Sequence, residues 1–130
     1  MTHVSRFPIP KDVYFEILDE LYWVLADVKK PEEMKSFLGD FFTKTERLML
    51  AKRLALAVMV IKKYDIDIVK KVLHVSTGTI YRMKEKLDAG GNGIMASVRR
   101  LMKHEAFEQF IIELFQRPHH DRGIHPLVDS

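Results

Sequence analysis

The sequence predicts an all-α protein of about six helices with a helix-turn-helix at its centre. Three observations predict it. Apolar residues recur every three or four positions along most of the chain, which is the period of one helix face. Residues that start or stop helices fall at the ends of those runs: Pro31, Thr43 and Ser76 before them, the GGNG cluster at 90–93 and Pro118 after them. No convincing alternation of apolar and polar residues suggests a half-buried strand, and no segment repeats.

The elements follow in order. Pro8 and Pro10 close an extended N-terminal arm over residues 1–10. A first helix is expected from about Lys11 to Val28, with Val13, Ile17, Leu21, Leu25 and Val28 on one face and Glu16, Glu20 and Asp27 on another. Trp23 falls on the acidic face beside Tyr22, where it is either covered by a second chain or left partly exposed. Pro31 opens a second helix, with Glu32 and Glu33 in the first turn, where the helix dipole favours anions. This helix is expected to reach about Phe42. Thr43 and Glu46 have capping-box spacing and start a third helix, which runs to about Lys63. Between Leu48 and Ile61 that helix is apolar almost all round, a pattern that predicts burial on most sides. Arg53 is a lone cation within it. It needs an acidic partner such as Asp40 or Glu46, access to solvent, or a ligand. Asp65 or Asp67 caps a short helix ending at Leu73, and Ser76 caps the next, which runs to about Ala89. One final helix is expected from about Ile94 to Gln116, with Val98, Leu101, Phe107, Phe110, Ile111 and Leu114 inward. The expected organisation is a single helical domain over 11–116, the helix-turn-helix at about 65–89, and a C-terminal tail over 117–130.

Composition narrows the function classes. Of 130 residues, 47% are hydrophobic and 30% charged, as in globular proteins. Cysteine is absent, which removes thiolate nucleophiles, disulfides and cysteine-bound zinc, and fits a reducing cytoplasm. MTHVSRFPIP has no apolar secretory core, and LMLAKRLALAVMVI is shorter than the ~20 apolar residues of a membrane span. The net charge is only +3, but it is unevenly spread. Carboxylates dominate the first third, while Lys62, Lys63, Lys70, Lys71, Arg82, Lys84, Lys86, Arg99, Arg100 and Lys103 crowd the middle. Such asymmetry is a footprint of phosphate-backbone contact. No nucleophile elbow, Walker loop or H-E-x-x-H occurs, so no catalytic residue and no required cofactor are assigned. His119, His120, Asp121 and His125 are of metal-ligating type, but they sit in a Pro-flanked tail with nothing to fix their geometry, and no metal site is expected.

The stretch LHVSTGTIYRMKEKLDAGGNG at 73–93 carries the most specific signal. Val69, Leu73, Val75, Ile80 and Met83 are spaced as the inner faces of two helices joined by a tight turn. The outer face of the second helix then carries Thr77, Gly78, Tyr81, Arg82 and Glu85. Hydroxyls and a guanidinium there can reach base edges and phosphates. Lys70 and Lys71 on the first helix are placed for phosphates. The expected DNA-contacting set is Lys70, Lys71, Ser76, Thr77, Gly78, Tyr81, Arg82 and Lys84. At the turn, His74 stands where glycine is usual, and Lys70 stands where a small residue is usual. A generic pair of helices with a solvated face is the competing reading.

Two blocks in order, FLGDFFTKTERLMLAKRLALA and STGTIYRMKEKLDAGGNG, resemble the Trp repressor superfamily, and within it the YerC/YecD-like branch. The resemblance spans about residues 32–94. It implies an intertwined all-helical homodimer, a double-stranded-DNA partner, repression of transcription and a small-molecule effector. By this resemblance Thr43, Arg53, Thr79 and Arg82 match effector-pocket positions, with Arg82 as the partner of a ligand carboxylate. Thr77, Gly78 and Tyr81 match DNA-reading positions, and Lys70 a phosphate-contacting one. Two pocket positions depart: Met83 replaces a glycine in the indole slot, and Lys86 replaces a serine near the ligand amino group. Met83 would fill part of the slot and Lys86 would repel an ammonium, so the resemblance implies either an anionic or amino-acid-like effector other than tryptophan or a site permanently closed by Met83. The alternative is a helical dimeric protein-interaction module without specific DNA binding.

Overall fold

The computed structural model describes residues 9–116 and places seven helices in them: α1 (Lys11–Asp27), α2 (Pro31–Phe41), α3 (Lys44–Ile61), α4 (Ile66–Leu73), α5 (Thr77–Asp88), α6 (Asn92–Met102) and α7 (Glu105–Gln116). There is no strand among the described residues. Most of the expected arm and the whole tail, with His119, His120, Asp121 and His125, lie outside the described residues, as do the side chains of Phe110 and Leu114. The chain divides between Met49 and Leu50 into two units, and α3 crosses the division.

In the first unit, α1 buries no residue. Its expected inner face is only partly covered: Val13 and Ile17 are exposed, and Leu21, Leu25 and Val28 are half-buried. Tyr14, Phe15, Tyr22, Trp23 and Val24 are exposed as well, with Trp23 at 72%. Helix α2 has Pro31 in its first turn together with Glu32 and Glu33, as the spacing predicts. Its C-terminal end is closed by Arg47, a residue of the next helix. Arg47 donates from Nη1 to the carbonyls of Gly39 at 2.9 Å and Phe42 at 2.8 Å. A guanidinium at the negative pole of a helix satisfies carbonyls that have no intrahelical partner. The capping box forms as expected. Glu46 N–H donates to Thr43 Oγ1 at 3.1 Å, and Thr43 N–H donates to Glu46 Oε1 at 2.8 Å.

The core lies in the second unit: Leu56, Ala57, Val58, Met59, Val69, Leu73, Ile80, Met83, Val98 and Phe107. Four consecutive buried positions on α3 agree with its all-round apolar pattern, but only over that stretch. Met49, Leu50 and Leu54 are exposed, so burial on most sides is confined to the C-terminal part. Arg53 is also exposed, so of the expected alternatives it has access to solvent. Helix α3 ends in a Schellman turn. Tyr64 N–H donates to Met59 O at 3.1 Å, Lys63 N–H donates to Val60 O at 3.0 Å, and Lys63 takes the left-handed conformation at φ 62°.

The expected single last helix is two. Val98 and Phe107 are both buried, at 0% and 2% exposure. At about 100° per residue, an unbroken helix would set them on opposite sides. The turn at Lys103 and His104, closed by bonds to Arg100 O and Leu101 O, resets the phase so that both face inward.

Candidate nucleic-acid interface

The helix-turn-helix is built from α4, the segment His74–Ser76 and α5. Its inner faces are those expected: Val69 is 1% exposed, Leu73 8%, Ile80 1% and Met83 7%, with Val75 half-buried beside them. Helix α4 packs on α5, and α5 on α6. The turn is a left-handed cap. His74 sits at φ 54°, ψ 52°, and its N–H donates to Lys70 O at 2.8 Å. Histidine thus takes the conformation that glycine usually supplies. Asp65 stands at the N-cap of α4, but its side chain makes no capping hydrogen bond, and Asp67 lies inside the first turn. The expected carboxylate cap of this helix is absent. The extended backbone at Asp65, with ψ 143°, still starts the helix, and Val69 N–H bonds to the Asp65 carbonyl.

Helix α5 is capped by its own side chains. Ser76 Oγ accepts from Thr79 N–H at 3.1 Å and lies 2.9 Å from Thr79 Oγ1. Thr79 Oγ1 in turn accepts from Arg82 Nη2 at 3.1 Å. Three residues at spacing three therefore form one hydrogen-bonded row along the first two turns, because positions i and i+3 share a helix face. The guanidinium also passes over Gly78. A Cβ built there would stand 3.4 Å from Arg82 Nη1, an ordinary van der Waals distance from the end of a flexible side chain.

The remaining predicted contact residues divide by exposure. Lys70, Lys71, Gly78, Tyr81 and Arg82 are exposed, and Thr77 and Lys84 are half-buried. Lys84 Nζ lies over the Tyr81 ring at 5.4 Å from its centroid, a cation–π pairing across one turn. Of the positions matched to an effector pocket, Thr79 and Arg82 are brought together by the bond above. Thr43 uses its hydroxyl in the capping box of α3, in the other unit of the chain. Arg53 and Lys86 are exposed, while the Met83 side chain is part of the core. One contact was not anticipated. Lys52 Nζ donates to His74 O at 3.3 Å, which ties α3 to the turn. The signal available for it was a lysine breaking an apolar run, which says nothing of where the ammonium goes.

Two helices packed through an apolar inner face around a left-handed turn, with a polar, cationic outer face, define a helix-turn-helix protein. The family model described as Trp repressor protein matches residues 16–102, well over half of the chain, and the protein belongs to that family. It is a family of helix-turn-helix DNA-binding transcription regulators. No curated protein and no solved structure matches the chain significantly. No helix among the described residues is long and apolar enough to cross a membrane.

Proposed function

We propose that the protein is a sequence-specific double-stranded-DNA-binding repressor that works as a homodimer in the cytoplasm, in the YerC/YecD-like branch of its family. The observation that carries the reading is the outer surface of α5. Tyr81 is 48% exposed there, flanked by Gly78 and Arg82, while Ile80 and Met83 on the same helix are locked into the core. The helix is thus held firmly on one side and presents hydroxyl, phenol and guanidinium groups on the other. That face fits the major groove, with Lys70 and Lys71 near the phosphates. Ser76, Thr77 and Lys84 complete the contacting set. Dimerisation is supported by α1, whose exposed apolar side chains lie on every side of a helix that buries none of them.

An effector is proposed with the same reading: a small anionic or amino-acid-like molecule held by Arg82, with Thr79 and Arg53 of the same unit contributing. Arg82 now bonds to Thr79, a neutral acceptor that a carboxylate would displace with a stronger charge-assisted pair. Burial of Met83 and the ammonium of Lys86 weigh against tryptophan. The test is selection of bound fragments from genomic DNA with and without pooled amino acids and anionic metabolites, followed by a salt titration of the winning fragment. Specific binding whose logarithm falls linearly with log salt supports the reading. Failure to enrich any fragment leaves the helical interaction module as the better account.

A further inference from the structure

We propose that Lys52 is a positioning residue that holds the turn of the helix-turn-helix against α3 and so sets the angle at which α5 is presented. Resting on the reading of α5 as the DNA-contacting helix, it assigns a residue outside that helix to the same task. Lys52 lies on α3, is half-buried, and reaches across to the carbonyl of His74, 22 residues further on. His74 is the C-cap of α4 and the pivot between α4 and α5, held at positive φ. The carbonyl that Lys52 takes is therefore at the negative pole of α4, where a cation gains from both the hydrogen bond and the helix dipole. Lys70 and Lys71 stand in the last turn of the same helix but point their charge to solvent-exposed positions. Lys52 arrives from a different helix, so its bond constrains the orientation of the motif rather than only the end of α4. The turn is then pinned from two sides. On one side is Lys52 at His74 O; on the other is the Ser76 cap, two residues on, that starts α5.

A lysine can also serve DNA by touching a phosphate, and the two roles leave different traces. Lys52→Met keeps the aliphatic stem and loses the donor; Lys52→Arg keeps a cation and a donor. Lys52→Met is expected to weaken binding of the selected fragment about tenfold, the scale of one charge-assisted hydrogen bond, and to leave the salt slope unchanged. Lys52→Arg is expected to restore most of the affinity. In the free protein, the His74 amide is expected to exchange faster in Lys52→Met than in the wild type. A salt slope reduced by about one phosphate in Lys52→Met would overturn the proposal, because Lys52 would then be a DNA contact. So would an unchanged affinity together with unchanged exchange. If the wild-type protein enriches no DNA, the reading of α5 fails by itself; amide exchange then decides the strut alone, faster exchange upholding it and unchanged exchange sinking it.

Discussion

Arg82 donates to Thr79 Oγ1 at 3.1 Å, so the one guanidinium on α5 is turned back along its own helix toward the N-terminus. Thr79 Oγ1 also lies 2.9 Å from the cap oxygen of Ser76. Cap, hydroxyl and guanidinium thus form one unit, and disturbing either end is felt at the other.

The cap itself gives the first prediction. Ser76→Ala should cost about 1 kcal/mol of stability, the usual worth of an N-cap oxygen. Ser76→Asp should keep that stability, since a carboxylate accepts from Thr79 N–H and suits the positive end of the helix. On DNA the order should differ, with Ser76→Asp binding worse than Ser76→Ala because its charge faces phosphates. Urea melts and binding isotherms on the same three proteins check both halves. An Asp variant that binds as tightly as the wild type would remove Ser76 from the interface.

The left-handed residues give a second. Lys63 and His74 hold φ of 62° and 54°. A non-glycine residue there carries a conformational cost, so His74→Gly and Lys63→Gly should each stabilise the protein by about 0.5–1 kcal/mol. Gly91→Ala should do the reverse. Its φ is +25°, and a Cβ would stand 3.1 Å from the Lys86 carbonyl and 3.2 Å from Leu87 Cα, both backbone atoms that cannot swing away. Chemical denaturation of the three variants should show two midpoints moving up and one moving down.

On the outer face of the motif, Lys70→Ala should weaken all DNA sequences alike and lower the salt slope by about one phosphate. Thr77→Ala and Tyr81→Ala should instead change which sequence is preferred. Met83→Ala, by contrast, should cost about 2–4 kcal/mol of stability, since a buried methionine leaves a cavity. An unaltered preference in both Thr77→Ala and Tyr81→Ala would show that α5 does not read bases.

Trp23, the single tryptophan, makes dimerisation measurable without a label. At 72% exposure in one chain it should emit as a solvated indole. If a second copy covers it, emission should be blue-shifted at high concentration and move to the red on dilution. The melting temperature should rise with concentration over the same range. A red-emitting Trp23 and a constant melting temperature at all concentrations would leave α1 without a second copy to cover it.

By itself, the sequence determined the helices and the motif they form. Periodicity of three and four located the first five helices to within a residue or two, and ran the last two together as one. Local chemistry named their ends: the Thr43–Glu46 box and the Ser76 cap each need only residues three apart, so spacing alone specifies them. The inner face of the helix-turn-helix was equally legible, because Val69, Leu73, Ile80 and Met83 must meet once two short helices fold on a tight turn. What only the tertiary structure decided involves partners distant in sequence, or a phase that no local signal announces. Arg47 on the end of α2 and Lys52 on His74 depend on where another helix's carbonyls fall. Arg53 is exposed because the packing of α3 buries Leu56–Met59 and leaves its earlier turns uncovered. The break before α7 has no proline or glycine to mark it. It exists because Val98 and Phe107 are both drawn into one core, and a continuous helix offers only one of them at a time.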